Sequence, residues 1–176
     1  SDLTSLVRST YLGTAMDDHS YALAIDENGD VLIAGKTPGT NFPGVTGGAQ
    51  ATISGVDGDM VIARLNGTLT TLKQATYVGG TADDQAAAIM FDGAGNILVA
   101  GHTQSTNFPA TSGGAQPAKG AGASNVAVVR LTPSLRLVEP VPPPDAPTIT
   151  APAQNAVIGD TTPTISGTCE TDAEVV

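Results

Sequence analysis

The sequence predicts an all-β fold: two copies of a four-stranded antiparallel unit, followed by part of a second β-module. Three observations predict it. The 176 residues include 21 Gly and 12 Pro, a density of turn formers that suits many short strands. The apolar runs are short, and each either alternates or is continuous. Sliding the chain against itself gives one clear offset of 66 residues, with no gap from Thr10 to Leu65. At that offset Thr10-Tyr11-Leu12-Gly13 falls on Thr76-Tyr77-Val78-Gly79, and Asp17-Asp18 on Asp83-Asp84. Thr40-Asn41-Phe42-Pro43 falls on Thr106-Asn107-Phe108-Pro109, and Gly47-Gly48-Ala49-Gln50 on Gly113-Gly114-Ala115-Gln116.

Taken in order, Tyr21–Ile25 alternates, with Tyr21, Leu23 and Ile25 on one face. Val31–Ala34 and Met60–Ala63 are continuous apolar runs, and Leu72–Val78 is the fourth and weakest. The second copy repeats them as Ala86–Phe91, Ile97–Ala100, Val126–Val129 and about Leu135–Val138. Continuous runs imply burial on both faces, as where sheets stack. Asp26-Glu27-Asn28-Gly29 and Asp92-Gly93-Ala94-Gly95 form the first hairpin turns, where Gly supplies the positive φ. The next connection, about Pro38 to Gly58, is long in both copies, and Phe42-Pro43 and Phe108-Pro109 are expected to pin it to the sheet. Short four-stranded units buried on both sides and repeated at a fixed period describe blades of a β-propeller.

The domain boundaries follow. Residues 1–138 hold the repeats: a leftover strand at 3–9 that aligns with Leu69 onward, repeat one at about 10–75 and repeat two at about 76–138. Residues 139–146 form a stiff Pro-rich linker. Residues 147–176 read as the opening strands of a further module, too few for a core of their own. Two blades do not make a ring, because propellers need roughly 4–8, so further blades or copies of the chain are expected partners.

The repeated set Tyr-Leu-Gly-x3-Asp-Asp, Ile25-Asp26-x2-Gly29, Ala34-Gly35-x-Thr37, Asn41-Phe42-Pro43 and Gly48-Ala49-Gln50 resembles the bacterial β-propeller repeat family called SBBP. The resemblance covers about Thr10 to Leu137. It implies a blade fold in secreted or surface-exposed bacterial proteins and no defined catalytic residues. The tail, from Ala146 to Thr168, resembles the first strands of bacterial immunoglobulin-like (Ig-like) modules, which recur in adhesins and stalks.

Charge narrows the partners. Seventeen acidic against seven basic side chains give a formal charge of -10, which argues against nucleic acid and anionic membrane surfaces. No apolar run approaches the ~18 residues of a membrane span, so no membrane insertion is expected. The opening Ser-Asp-Leu-Thr-Ser does not read as a signal peptide. The single Cys169 excludes an internal disulfide framework.

Few residues offer chemistry. Asp17, Asp18, Asp83 and Asp84 are the candidate metal ligands, for calcium. Two adjacent carboxylates fall short of its usual six to eight oxygens, so loop capping is the stronger reading. Asp26, Asn28 and Asp30 imitate a calcium loop but read better as a hairpin turn, since Ala94 stands at the second ligand position of the other copy. Gly35-Lys36-Thr37 fails the spacing of a phosphate loop. His19 and His102 lie at different repeat positions with no matching nucleophile. Asn66-Gly67-Thr68 reads as a turn. Arg64 and Arg130 recur where an ion pair with a repeated Asp is expected.

The expectation is therefore a non-catalytic structural or adhesion module, not an enzyme, located outside the cell or on its surface, with no cofactor and with a protein or glycan ligand. The alternative is a calcium-dependent ligand-binding or glycan-active propeller completed by further blades. Carbohydrate sites favour aromatic platforms, and this chain has no Trp and three Tyr.

Overall fold

The structure is a computed structural model that describes residues 4–135. The linker, the Ig-like segment and all of the expected eighth strand except Leu135 lie outside the described residues. Among the described residues there are seven strands and no helices: β1 His19–Ile25, β2 Val31–Thr37, β3 Asp59–Leu65, β4 Leu72–Val78, β5 Asp84–Phe91, β6 Ile97–Thr103 and β7 Asn125–Leu131. They form two antiparallel meanders, ordered β1-β2-β3-β4 and β5-β6-β7. The seven runs expected between Tyr21 and Val129 are all strands, six of them extended by a few residues.

The turns have the expected chemistry. Asp26 Oδ1 accepts the N–H groups of Asn28 (2.9 Å) and Asp30 (2.8 Å), with Gly29 at φ 79°. Asp92 does the same for Ala94 (2.9 Å) and Asn96 (2.8 Å), with Gly95 at φ 80°. These carboxylates are committed to backbone, as a turn requires and a calcium loop does not.

One feature of both copies escaped the pattern analysis. The β1–β2 register slips between Ser20 and Ala22, and the β5–β6 register slips between Ala86 and Ala88. Opposite each bulge stands a glycine. A Cβ on Gly35 would lie 1.8 Å from His19 O, and one on Gly101 would lie 2.0 Å from Gln85 O. The bulge brings backbone against backbone, and only Gly leaves room for it.

The sheets stack face to face. Leu32, Ala34, Met60, Ile62 and Val78 of the first sheet meet Ala86, Ile97, Val99, Ala127 and Leu131 of the second, with Leu135 joining them. Each fully buried Leu, Ile or Val contributes about 1.5–3 kcal/mol. The opposite face of the first sheet carries a second core, where the long loop lays Phe42 and Val45 over Val61, Ala63, Ala75 and Tyr77.

The second sheet has three strands among the described residues, and the fourth expected there, about Leu135–Val138, lies outside them apart from Leu135. Leu135 takes φ 57°, as Leu69 (φ 56°) does in the turn before β4. The leftover strand at 3–9 is not a strand over its described residues, because residues 4–18 carry none and residues 4–11 are exposed. Among the described residues no strand pairs with it. The face bearing Tyr21, Leu23 and Ile25 is exposed rather than packed.

Candidate functional site

Two places gather the features that sequence and fold single out: an acidic node where the sheets join, and a groove along β7.

At the node, Asp59 opens β3 and Asp84 opens β5, and both are fully buried. They close on Gly79, where a Cβ would stand 2.5 Å from Asp59 Cγ and 2.7 Å from Asp84 Oδ2. Asp59 Oδ2 accepts Gln50 Nε2 (2.9 Å) and Ser54 N–H (3.0 Å). Asp84 Oδ2 accepts Gly80 N–H (2.7 Å) and Ser105 Oγ (2.9 Å). The Oδ1 atoms of both are buried without a hydrogen-bond partner. Burial first, and then the Asp84 charge, push the Asp59 carboxyl up to about 6, against the pull of its hydrogen bonds. One proton therefore relieves the node at mildly acid pH.

The four candidate calcium ligands do not form one site. Asp18 caps a loop, accepting Thr14 N–H at 2.5 Å and Thr14 Oγ1 at 3.1 Å. Asp84 holds the equivalent loop. Asp83 is paired with Lys36 across the two sheets, and His102 Nε2 stands 3.9 Å from it. Nothing in the structure gives Asp17 a ligand role. Among the described residues no group of three or more His, Cys, Asp or Glu side chains is placed to hold a metal ion. Lys36 thus serves an ion pair, and His19 stacks on Tyr21 with ring centroids 6.0 Å apart.

The recurrent arginines find the expected partners. Arg64 Nη1 meets Asp26 Oδ2 at 2.5 Å and Asp30 at 3.5 Å, and Lys73 closes on Asp30 at 2.6 Å. In the second copy Arg130 meets Asp92 at 2.5 Å, but Asn96 replaces Asp30 and the pair lies open to water. Opposed by burial but helped by the Asp30 N–H and the Arg64 charge, Asp26 is held below the usual carboxylate range. The Asn96 side chain, with further help from the Asn96 and Ala94 N–H groups and Arg130, holds Asp92 low as well.

The groove is an open channel of about 720 Å³ between the second long loop and β7. Thr103, Ser105, Phe108, Gln116, Ala127 and Val129 line it. In the first sheet the same channel is filled by β4. There Tyr77 is fully buried; its hydroxyl donates to Gly39 O (2.7 Å) and accepts Phe42 N–H (2.9 Å). The N–H groups of Ala75 and Tyr77 donate to Gly44 O (2.8 Å) and Gln50 O (3.0 Å) of the loop. The second loop keeps that shape with no strand beneath it among the described residues. Gly48 N–H donates to Val45 O (2.9 Å), and Gly114 N–H to Thr111 O (3.0 Å). Gly44 (φ 78°) is matched by Ala110 (φ 56°), a strained angle for a residue with a Cβ.

Sequence reasoning missed Asp59, Gln50 and the groove. Gln50 carried a signal, since Gln116 repeats it. Asp59 carried none, because Asn125 stands at its repeat position.

Residues 7–43 and 75–109 match the family model of the SBBP beta-propeller repeat. The two matches start within two residues of the 66-residue period and cover the first two strands and the start of the long loop of each copy. No curated protein matches the chain.

Proposed function

We propose that the chain is a non-catalytic structural or adhesion module of a secreted or cell-surface bacterial protein, whose propeller blades hold loops for contact with a protein or glycan. One observation carries this reading. Apart from Asp17, the recurrent charged side chains of both copies are spent on the fold itself: Asp26 on Arg64, Asp92 on Arg130, Asp83 on Lys36, Asp18 and Asp84 on loop backbone. An active site needs polar groups left free to converge on a reacting atom. The Ig-like resemblance of residues 147–176, beyond the Pro-rich linker, suits a stalk and belongs to the same proposal.

A second reading, calcium-dependent ligand or glycan binding, draws on the bare Oδ1 atoms of Asp59 and Asp84. Two oxygens are few for calcium, and a proton on Asp59 accounts for them as well. A glycan array probed with and without calcium, beside a thermal melt at each calcium concentration, separates the two. The scaffold reading expects an unchanged melting temperature and no calcium-dependent glycan signal. Saturable calcium-dependent binding would overturn it.

A further inference from the structure

The turn that joins the two sheets, residues 79–83 between β4 and β5, gives its backbone to side chains. Four consecutive N–H groups end on them. Gly79 N–H donates to Gln50 Oε1 (3.1 Å), Gly80 N–H to Asp84 Oδ2 (2.7 Å), Thr81 N–H to Asn107 Oδ1 (3.0 Å) and Ala82 N–H to Ser105 Oγ (2.9 Å). Gln50 belongs to the long loop between β2 and β3, residues 38–58. Ser105 and Asn107 belong to the long loop between β6 and β7, residues 104–124. The backbone repeats the grip. Asp84 N–H donates to Gly58 O (3.0 Å), at the end of the first loop, and Gln104 N–H, at the start of the second, donates to Asp83 O (2.8 Å).

The grip has no slack. A Cβ on Gly80 would stand 2.6 Å from Ser105 Cβ, and one on Gly55 would stand 2.6 Å from Thr81 O, so both loops press on the turn. The contacts meet at buried acids. Gln50 Nε2 and Ser54 N–H share Asp59 Oδ2, while Gly80 N–H and Ser105 Oγ share Asp84 Oδ2. Asp59, Asp84 and Ser105 are buried. A bond broken there leaves a polar group without water to replace it, so the network opens as a unit.

The equivalent turn of the first copy is built differently. One period earlier, Thr14 stands at the place of Gly80 and Gly39 at the place of Ser105. The hydroxyl then comes from the turn itself. Thr14 Oγ1 donates to Asp18 Oδ2 (3.1 Å) and accepts Met16 N–H (3.1 Å), and Met16 is the equivalent of Ala82. A Cβ on Gly39 would stand 2.1 Å from Thr14 Oγ1, so the site holds one hydroxyl, from one side or the other. The first turn is capped from within, and the second is capped by a loop.

We propose that the turn at residues 79–83 is a clasp through which the two long loops hold each other in place, so that a partner gripping one loop orders the other. The two states are a closed turn and an open one. The first loop favours the closed state through Gln50, the second through Ser105 and Asn107, and two sites that bias one equilibrium are coupled. The inference deepens the scaffold reading and rests on it, because that reading gives the loops to partners.

Amide hydrogen exchange of the whole chain, followed residue by residue by nuclear magnetic resonance, tests the clasp. Ser105→Ala removes the hydroxyl from the second loop. It should speed exchange at Ser54 and Gly79, which face the first loop, by roughly ten-fold, while Asn28 in the β1–β2 hairpin keeps its rate. Ser105→Gly with Gly80→Thr supplies the hydroxyl from the turn, as Thr14 does, and should return Ser54 and Gly79 to their wild-type rates. Asn107→Ala, at an exposed residue, carries the same test at little risk to folding and should speed Ser54 and Gly79 by roughly three-fold. Rates at Ser54 and Gly79 that ignore Asn107→Ala, or a double variant no slower than Ser105→Ala, would overturn the clasp and leave the scaffold reading standing. Calcium-dependent glycan binding would overturn the scaffold reading and leave these rates, and the clasp, as they are.

Discussion

The two sheets are written in nearly the same residues, and one is finished while the other is open. In the first, β4 seals the groove, Tyr77 is buried, and Arg64 sits in a half-buried network with Asp26, Asp30 and Lys73. In the second, the groove stands empty of any described strand, Phe108 is only half-buried, and Arg130 faces water. The difference teaches that a sheet of this repeat is not defined by its own strands alone. The same motif is core or surface according to what lies beside it.

The largest test of that contrast is at the tyrosines. Tyr77→Ala should destabilise the fold by about 3–5 kcal/mol, through a cavity and two orphaned loop groups, in chemical denaturation. Tyr11→Ala should leave the stability of the single molecule unchanged within about 0.5 kcal/mol. Equal losses would erase the comparison.

The arginines come next. Arg64→Ala takes the cation from Asp26, while Asp30 keeps Lys73, and should cost about 2 kcal/mol, whereas Arg130→Ala should cost at most about 0.5 kcal/mol. Denaturant midpoints of the two variants decide it.

The acidic node gives a third difference. Asp59 is raised from 3.8 to about 6 on folding, so its stabilising contribution is complete below 3.8 and is lost as pH rises through about 6. Acidifying from neutrality to about pH 4.5 should therefore raise stability by about 2 kcal/mol, and Asp59→Asn should flatten that slope. Asp26 runs the other way: its carboxyl is lowered, so its contribution holds above the unfolded value and disappears as pH falls through the folded one. Urea midpoints across pH 3 to 8, in steps of about one unit, should peak on the acid side of neutrality. The smallest test is Ala110→Gly, which removes a left-handed angle from a residue with a Cβ and should stabilise by about 0.5–1 kcal/mol.

Much of the fold was legible because a repeat reports on itself. The hairpins at Asp26 and Asp92 and the seven strands follow from offset and turn chemistry. The Arg64–Asp26 pair was legible in retrospect, since both partners recur together. The bulges at Ser20 and Ala86 were not, because an extra residue in a strand of Ala and Ser leaves no break in hydrophobicity. Nor was burial: Val126 and Val128 repeat Met60 and Ile62 as apolar residues, and no pattern in a strand says whether a neighbour covers it. Asp59 stayed hidden for the opposite reason, being a departure from the repeat in a method that rewards agreement.

The turn between β3 and β4 has a consequence for how the molecule ages. An Asn-Gly peptide ordinarily loses ammonia when the Gly nitrogen attacks the Asn carboxamide. Here Asn66 Oδ1 accepts the N–H groups of Thr70 (2.8 Å) and Thr71 (3.1 Å), and Nδ2 donates to Thr70 Oγ1 (2.8 Å). Swinging that carboxamide onto Gly67 breaks all three bonds. The folded turn is a chemical preservative for its own Asn-Gly peptide, and deamidation at Asn66 becomes a slow clock that runs only while the turn is undone.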